Sequence, residues 1–210
     1  LWSFKSAGLV ENGSLDAAGT YYTGVYENSK TLSIRAIDKD GQLKWEQKLP
    51  LSFSLEGLVL SKKGIIYTTS KNQIVAINKE DGSIKFTKKV GSDSLQLSTP
   101  AIRQDGFLLV GVNNYTQNGT SFLAKIDPNT GSWVSSSQFP NPGFKQIVFD
   151  DQLNLYTYNN RFVFKLDYQL NKKWECSINF PFKLSFDFNK NLLNMHDQPA
   201  HIINPITGLV

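Results

Sequence analysis

The chain has 210 residues and a formal net charge of +4; 40% of its residues are apolar, 12% aromatic and 19% charged. That apolar and aromatic share supports a packed core and excludes a disordered chain. Lys and Arg are interspersed with Asp and Glu, so no basic run of the kind that tracks nucleic acid or a membrane surface is present. The single cysteine, Cys176, excludes an intramolecular disulfide and a thiolate metal cluster, and no stretch approaches the roughly 18 apolar residues of a membrane helix.

Taken in order, residues 1–5 (Leu-Trp-Ser-Phe-Lys) read as the outer strand of a sheet whose other strands are not in front of it. The sequence begins at Leu1 and not at an initiator Met, so Leu1 reads as a processing or an expression boundary. Residues 15–23 then form a strand, 26–30 a polar connection, and 34–45 a hairpin: Ile34 to Ile37 extended, Asp38 to Gly41 a tight turn, and Gln42 to Trp45 the returning strand. Asp at the strand end can accept from backbone N–H groups two residues on, and Gly supplies the positive φ of the turn.

Weakened copies of this hairpin follow. Ala76-Ile77-Asn78 leads to Asp81-Gly82 and Phe86, Ile126-Asp127 to Thr130-Gly131 and Trp133, Leu166-Asp167 to Trp174, and Ile203-Asn204 to Thr207-Gly208. The Asx positions 38, 78, 127, 167 and 204 are separated by 40, 49, 40 and 37 residues, a period that belongs to β-propeller blades. The expected fold is therefore all-β: a single domain over 1–210 of about five four-stranded antiparallel blades, at approximately 9–50, 51–92, 95–139, 144–180 and 181–210. Residues 1–5 serve as a closing or preceding outer strand, and the alternative is a fragment of a seven- or eight-bladed propeller. The longer second step, 49 residues, comes from an enlarged loop between the second and third strands of the third blade, residues 113–120.

With the copies aligned, the sequence resembles the pyrroloquinoline-quinone-type (PQQ-like) propeller repeats. The resemblance rests on Gly64-Ile65-Ile66-Tyr67 with Ala76-Ile77-Asn78 and Asp81-Gly82, on Gly106 to Val110 with Ile126-Asp127 and Thr130-Gly131, and on the 34–45 hairpin. It departs from the pattern where Trp133 follows Gly131 after one residue and where the fourth blade has no Gly in its hairpin turn. The superfamily's quinone-dependent dehydrogenases use a pair of adjacent cysteines against the cofactor and an eight-bladed ring. One cysteine cannot supply that pair, so no cofactor is expected and no residue is assigned to a cofactor site. The resemblance implies an extracytoplasmic location, periplasmic or at the cell surface, and a role carried by protein contacts.

Few residues point to chemistry. His196, Asp197 and His201 form the only histidine and carboxylate group, and its short loop spacing reads as a connection rather than as convergent zinc ligands. The recurring Asx residues read as turn caps rather than calcium ligands. A glycosidase needs two carboxylates facing across a pocket, and Glu56 and Asp187 are the candidates on innermost strands. No catalytic or metal residue is assigned. Trp2, Trp45, Phe86 and Trp174 share one outer-strand position and are expected to pack between blades. The loops joining second to third strands gather on one face, and Tyr26, Asn114, Tyr115, Asn159, Arg161, His196 and Asp197 are the expected binding residues there. The expected activity is that of a non-catalytic binding or scaffolding module, a monomer that engages a protein or cell-surface polymer and neither nucleic acid nor a membrane span. The alternative is a carbohydrate-active enzyme with an axial pocket.

Overall fold

The computed structural model describes residues 9–10, 13–28, 31–49, 57–116, 119–139, 143–178, 183–194 and 201–210. The described elements are strands and turns, arranged in five antiparallel sheets. The chain divides into two compact units, Leu1–Asp93 with Asn129–Ser132, and Ser94–Pro128 with Trp133–Val210.

The first unit holds two sheets. One contains β1 (Leu9–Val10), β2 (Ser14–Leu15), β3 (Tyr21–Asn28), β4 (Thr31–Ile37) and β5 (Leu43–Leu49), and the other contains β6 (Leu58–Leu60), β7 (Ile65–Ser70), β8 (Gln73–Asn78) and β9 (Ile84–Lys89). The 34–45 hairpin pairs Ala36 with Trp45 and Ile37 with Leu43, so a bulge lies where the strand enters the turn. Ala76 with Phe86 and Ile77 with Ile84 repeat that register in the second sheet. Ile34, Ala36, Ile66 and Ile77 are fully buried between these sheets together with Tyr22 and Leu32. The outer strand β9, by contrast, is exposed except for Phe86 and carries Lys85, Lys88 and Lys89, charges that discourage pairing with another edge.

The second unit holds three sheets. Its first contains β10 (Leu95–Leu97), β11 (Ala101–Ile102), β12 (Leu108–Asn114), β13 (Ser121–Ile126) and β14 (Trp133–Phe139). The second contains β15 (Ile147–Phe149), β16 (Leu155–Tyr158), β17 (Phe162–Leu166) and β18 (Lys172–Ser177), and the third β19 (Leu184–Phe186), β20 (Leu192–Asn194) and β21 (His201–Ile203). Phe139, Phe144 and Phe164 meet edge to face at centroid distances of 5.0 to 5.9 Å between the first two of these sheets. Such rings add attraction beyond the area they bury.

Turn chemistry explains why the chain reverses where it does. Asp38 Oδ1 accepts from Asp40 N–H and Gln42 N–H, Asp167 Oδ1 from Gln169 N–H and Asn171 N–H, and Asn204 Oδ1 from Ile206 N–H and Thr207 N–H. These Asx carbonyls satisfy turn N–H groups that have no strand partner. Asp187 does the same after β19, accepting from Asn191 N–H at 2.8 Å and from its Nδ2 at 3.0 Å. It sits in a turn and not on an innermost strand, and its carboxylate is used locally. Glu56, the other candidate carboxylate, lies outside the described residues, as do residues 1–5.

The outer-strand aromatics dock on the next sheet's hairpin turn. Trp45 Nε1 donates to Lys79 O at 2.9 Å and Trp174 Nε1 to Pro205 O at 3.3 Å, each carbonyl belonging to the residue after the Asx. Gly82 and Gly208 lie under the indoles at φ 75°, where a Cβ would stand 2.7 and 2.8 Å from the ring carbons. Only glycine meets both the backbone and the space.

Candidate functional site

In the second unit the antiparallel order places two kinds of segment at one end of the sheets. These are the loops between second and third strands and the connections from one sheet to the next. Two buried asparagines order these segments, one by binding a connection and the other by closing its own loop. Asn113, on β12, donates from Nδ2 to Phe144 O at 2.8 Å and accepts at Oδ1 from Gly143 N–H and Phe144 N–H. Asn159 accepts at Oδ1 from Arg161 N–H and Phe162 N–H, both at 2.9 Å, and closes the loop after β16. Gly143 lies beside Asn159 and Asn160, so the 143–146 connection runs between the two loops. Further bonds hold the same end: Lys145 N–H donates to Tyr158 O, Ile178 N–H to Arg161 O, and Leu184 N–H to Gln146 Oε1. Burial pushes the Tyr158 hydroxyl up to about 12, so it stays neutral across the physiological range.

Of the residues expected to bind, Tyr115 is 46% exposed and Arg161 is exposed. Asn114 is half-buried, its Oδ1 accepting from Thr116 N–H and Oγ1–H. Asn159 is 2% exposed and acts from beneath the surface. These four share one end of two adjacent sheets. Tyr26 differs from expectation: it lies on β3, in register with Leu32, and packs half-buried against the core of the first unit. The strand runs on to Asn28 because its pairing with β4 continues, Asn28 lying in register with Thr31. His196 and Asp197 lie outside the described residues.

Three residues that the sequence did not single out belong to the picture. Lys145 and Lys183 are exposed and stand one or two residues before the first strand of a sheet, at the loop end. Arg103 takes the place, in the turn before β12, that Asp16, Ser61, Asp150 and Asp187 occupy in the other sheets. That break in an otherwise Asx or Ser series was the available signal. Its guanidinium is 5% exposed, donates from Nη1 to Tyr168 O at 2.7 Å and lies 3.8 Å from the Tyr168 ring centre. It pairs with Asp105, which also accepts from Tyr168 O–H at 3.0 Å.

At the opposite end of the second unit a cavity of about 220 Å³ opens between β16, β17 and the 204–208 turn, lined by Asp150, Tyr156, Lys165, Phe186 and Pro205 among others. Its polar groups satisfy one another. Lys165 Nζ donates to Pro205 O at 2.8 Å and Tyr156 O–H to Asp150 Oδ2 at 2.9 Å. Burial, followed by the bond to Asp150, raises the Tyr156 hydroxyl far above its ordinary value, which makes it a structural donor. Among the described residues no three His, Cys, Asp or Glu side chains gather as metal ligands, and no helix is long and apolar enough to cross a membrane.

Repeated antiparallel sheets of three to five strands, outer-strand indoles docked on the following turn and loops collected at one end define a β-propeller of the PQQ-like class. Residues 30–177 match the sequence family described as outer membrane protein assembly factor BamB, and the chain belongs to that family. It is similar in structure to BamB from Moraxella catarrhalis, with a TM-score of 0.70 at 13% identity over 99% of this chain and 65% of that one. It is also similar to virginiamycin B lyase from Staphylococcus aureus, with a TM-score of 0.75 at 17% identity over 94% of this chain and 67% of that one. A europium-containing methanol dehydrogenase gives 0.71 at 16% identity, over 99% of this chain and 51% of that one. The chain thus spans about 65% of the length of the BamB structure it matches. No curated protein sequence matches it. At such identities the likeness speaks for the fold, and a fold that hosts both an assembly factor and two enzymes does not choose between them.

Proposed function

We propose that the chain is a non-catalytic binding or scaffolding propeller that acts outside the cytoplasm and engages a protein partner through the loop end of its second unit. The observation that carries this reading is the division of labour at that end. Asn113 is buried and holds the 143–144 connection, Asn159 is buried and closes its own loop, and Tyr115 and Arg161 are carried outward. A fixed scaffold presenting an aromatic and a guanidinium is what a contact surface needs, because little conformational entropy is lost on docking. The family's description as an assembly factor for outer membrane proteins supports both the location and a role exercised by contact. The enzymatic alternative asks for two facing carboxylates, and Asp187 is held by Asn191 in its turn.

The test is capture from a cell-envelope extract by the chain, run beside the folded double variant Tyr115→Ala/Arg161→Ala. A partner identified with the parent and lost with the variant supports the reading. A partner retained equally by both shows that these loops are not the contact.

A further inference from the structure

Charge is distributed unevenly between the two ends of the second unit. Its described aspartates, Asp105, Asp127, Asp150, Asp151, Asp167 and Asp187, lie in the turns between first and second or third and fourth strands. Its one described glutamate, Glu175, lies on β18 and is paired with Lys172 at 2.7 Å. The loop end carries Lys145, Arg161 and Lys183, all exposed, and no carboxylate among the described residues.

The backbone brings these three cations to one place. Lys145 is tied through its N–H to Tyr158 O, two residues before Asn160, and Arg161 through its carbonyl to Ile178 N–H. Lys183 precedes Leu184, whose N–H is held by Gln146, the residue after Lys145. Three positive charges on three tethered segments, at the end opposite the turns that hold every described aspartate of the unit, give this end a field that attracts anions.

We infer that this end docks an acidic polypeptide segment, an inference that rests on the binding role proposed above and names the chemistry of the partner. The charges are discrete, one on a loop and one on each of two connections, which suits separate carboxylates on an extended chain better than a densely charged polyanion. The planar fork of Arg161 matches a carboxylate in bidentate fashion. Tyr115, exposed on the neighbouring loop, supplies the aromatic contact typical of surfaces that grip polypeptide.

The experiment uses the whole chain and a fluorescein-labelled dodecapeptide built from an Asp-Ser-Gly repeat, with an Asn-Ser-Gly peptide as the uncharged control, followed by fluorescence anisotropy. The expected result is tighter binding of the acidic peptide, weakened by added salt. The triple variant Lys145→Gln/Arg161→Gln/Lys183→Gln should weaken it about tenfold, since three rim charges each contribute about twofold. A second triple variant, Lys62→Gln/Lys63→Gln/Lys85→Gln, removes the same net charge from exposed lysines of the first unit and should change affinity less than about twofold. Equal weakening by both variants, or equal binding of the two peptides, overturns the inference. So does displacement by a sulfated glycan at concentrations well below those at which the peptide binds, which would assign the surface to a polyanionic polymer. The two proposals separate in the envelope capture. A partner lost with Tyr115→Ala/Arg161→Ala but retained by Lys145→Gln/Lys183→Gln leaves the contact surface standing and removes the acidic segment.

Discussion

Two sheet junctions within the second unit solve one packing problem with different residues. Where β18 meets the 204–208 turn, the Trp174 indole caps Pro205 O, lies over Gly208 and sits 5.9 Å from the Tyr156 ring. Where the first sheet meets the 167–171 turn no aromatic is available: register places Ser135 opposite Lys125, at the position of Trp174 opposite Lys165. Trp133 is two residues away, 40% exposed and edge-on to Phe122. The turn has changed to match, with Leu170 at φ 70° where the others have glycine. Arg103 fills the role from a different loop, capping Tyr168 O and stacking on the Tyr168 ring. Each junction therefore needs a flat side chain that also donates to the carbonyl after the Asx. An indole does this uncharged, whereas a buried guanidinium requires Asp105 beside it.

The sharpest way to break this comparison is to remove the indole. Trp174→Ala should cost about 3 kcal/mol, the loss of a half-buried aromatic and its hydrogen bond, measured as the free energy of unfolding in urea. Gly208→Ala should cost about 2 kcal/mol, because it combines a positive φ with a collision against Trp174. In the Trp174→Ala background that collision is gone, so the added cost of Gly208→Ala should fall to about 1 kcal/mol. Additive costs would mean that the glycine is required for the turn alone. At the other junction Arg103→Leu should cost about 2 kcal/mol, since Asp105 is left without its main partner but keeps some access to water. Adding Ser135→Trp with Leu170→Gly to that variant should recover part of the loss if the two solutions are interchangeable, and none of it if Arg103 acts only as a counter-ion.

The first junction was legible in the sequence and the second was not, for a physical reason. Trp45, Phe86 and Trp174 recur at one register position, and a period of about 40 residues makes such recurrence visible without any structure. Arg103 replaces a residue of β14 from a loop on another strand, so no periodic pattern records the exchange. The same limit applies at the loop end. Asn113 and Asn159 could be placed near loops from their neighbours, but whether an amide points inward or outward depends on groups distant in sequence for Asn113, which binds Phe144 O, and on the closure of its own loop for Asn159. Tyr26 read as loop because Glu27 and Asn28 follow it, whereas pairing with β4 carries the strand through. Lys145 and Lys183 gain meaning only once the topology brings their segments together.

The smallest effect expected is also the one that most cleanly separates the two junctions. Asp105 is held well below the usual carboxylate range: hydrogen bonds from the Arg103 guanidinium do most of this, partial burial opposes them, and Phe107 N–H and Tyr168 O–H add to the lowering. A carboxylate whose folded pKa is depressed contributes stability that is fully present above its ordinary value of 3.8 and is lost as the pH falls through the lower folded value. Asp105→Asn should therefore cost about 1 kcal/mol at neutral pH. Its gap from the parent should stay constant on acidification to about pH 5 and close only below the ordinary carboxylate range. Urea unfolding of both proteins across that range measures the gap. The Trp174→Ala gap should stay flat throughout, because an indole exchanges no proton. A gap at Asp105 that closes already between about pH 5 and 7 would mean that another titrating group, and not the Arg103 pair, sets the strength of this junction.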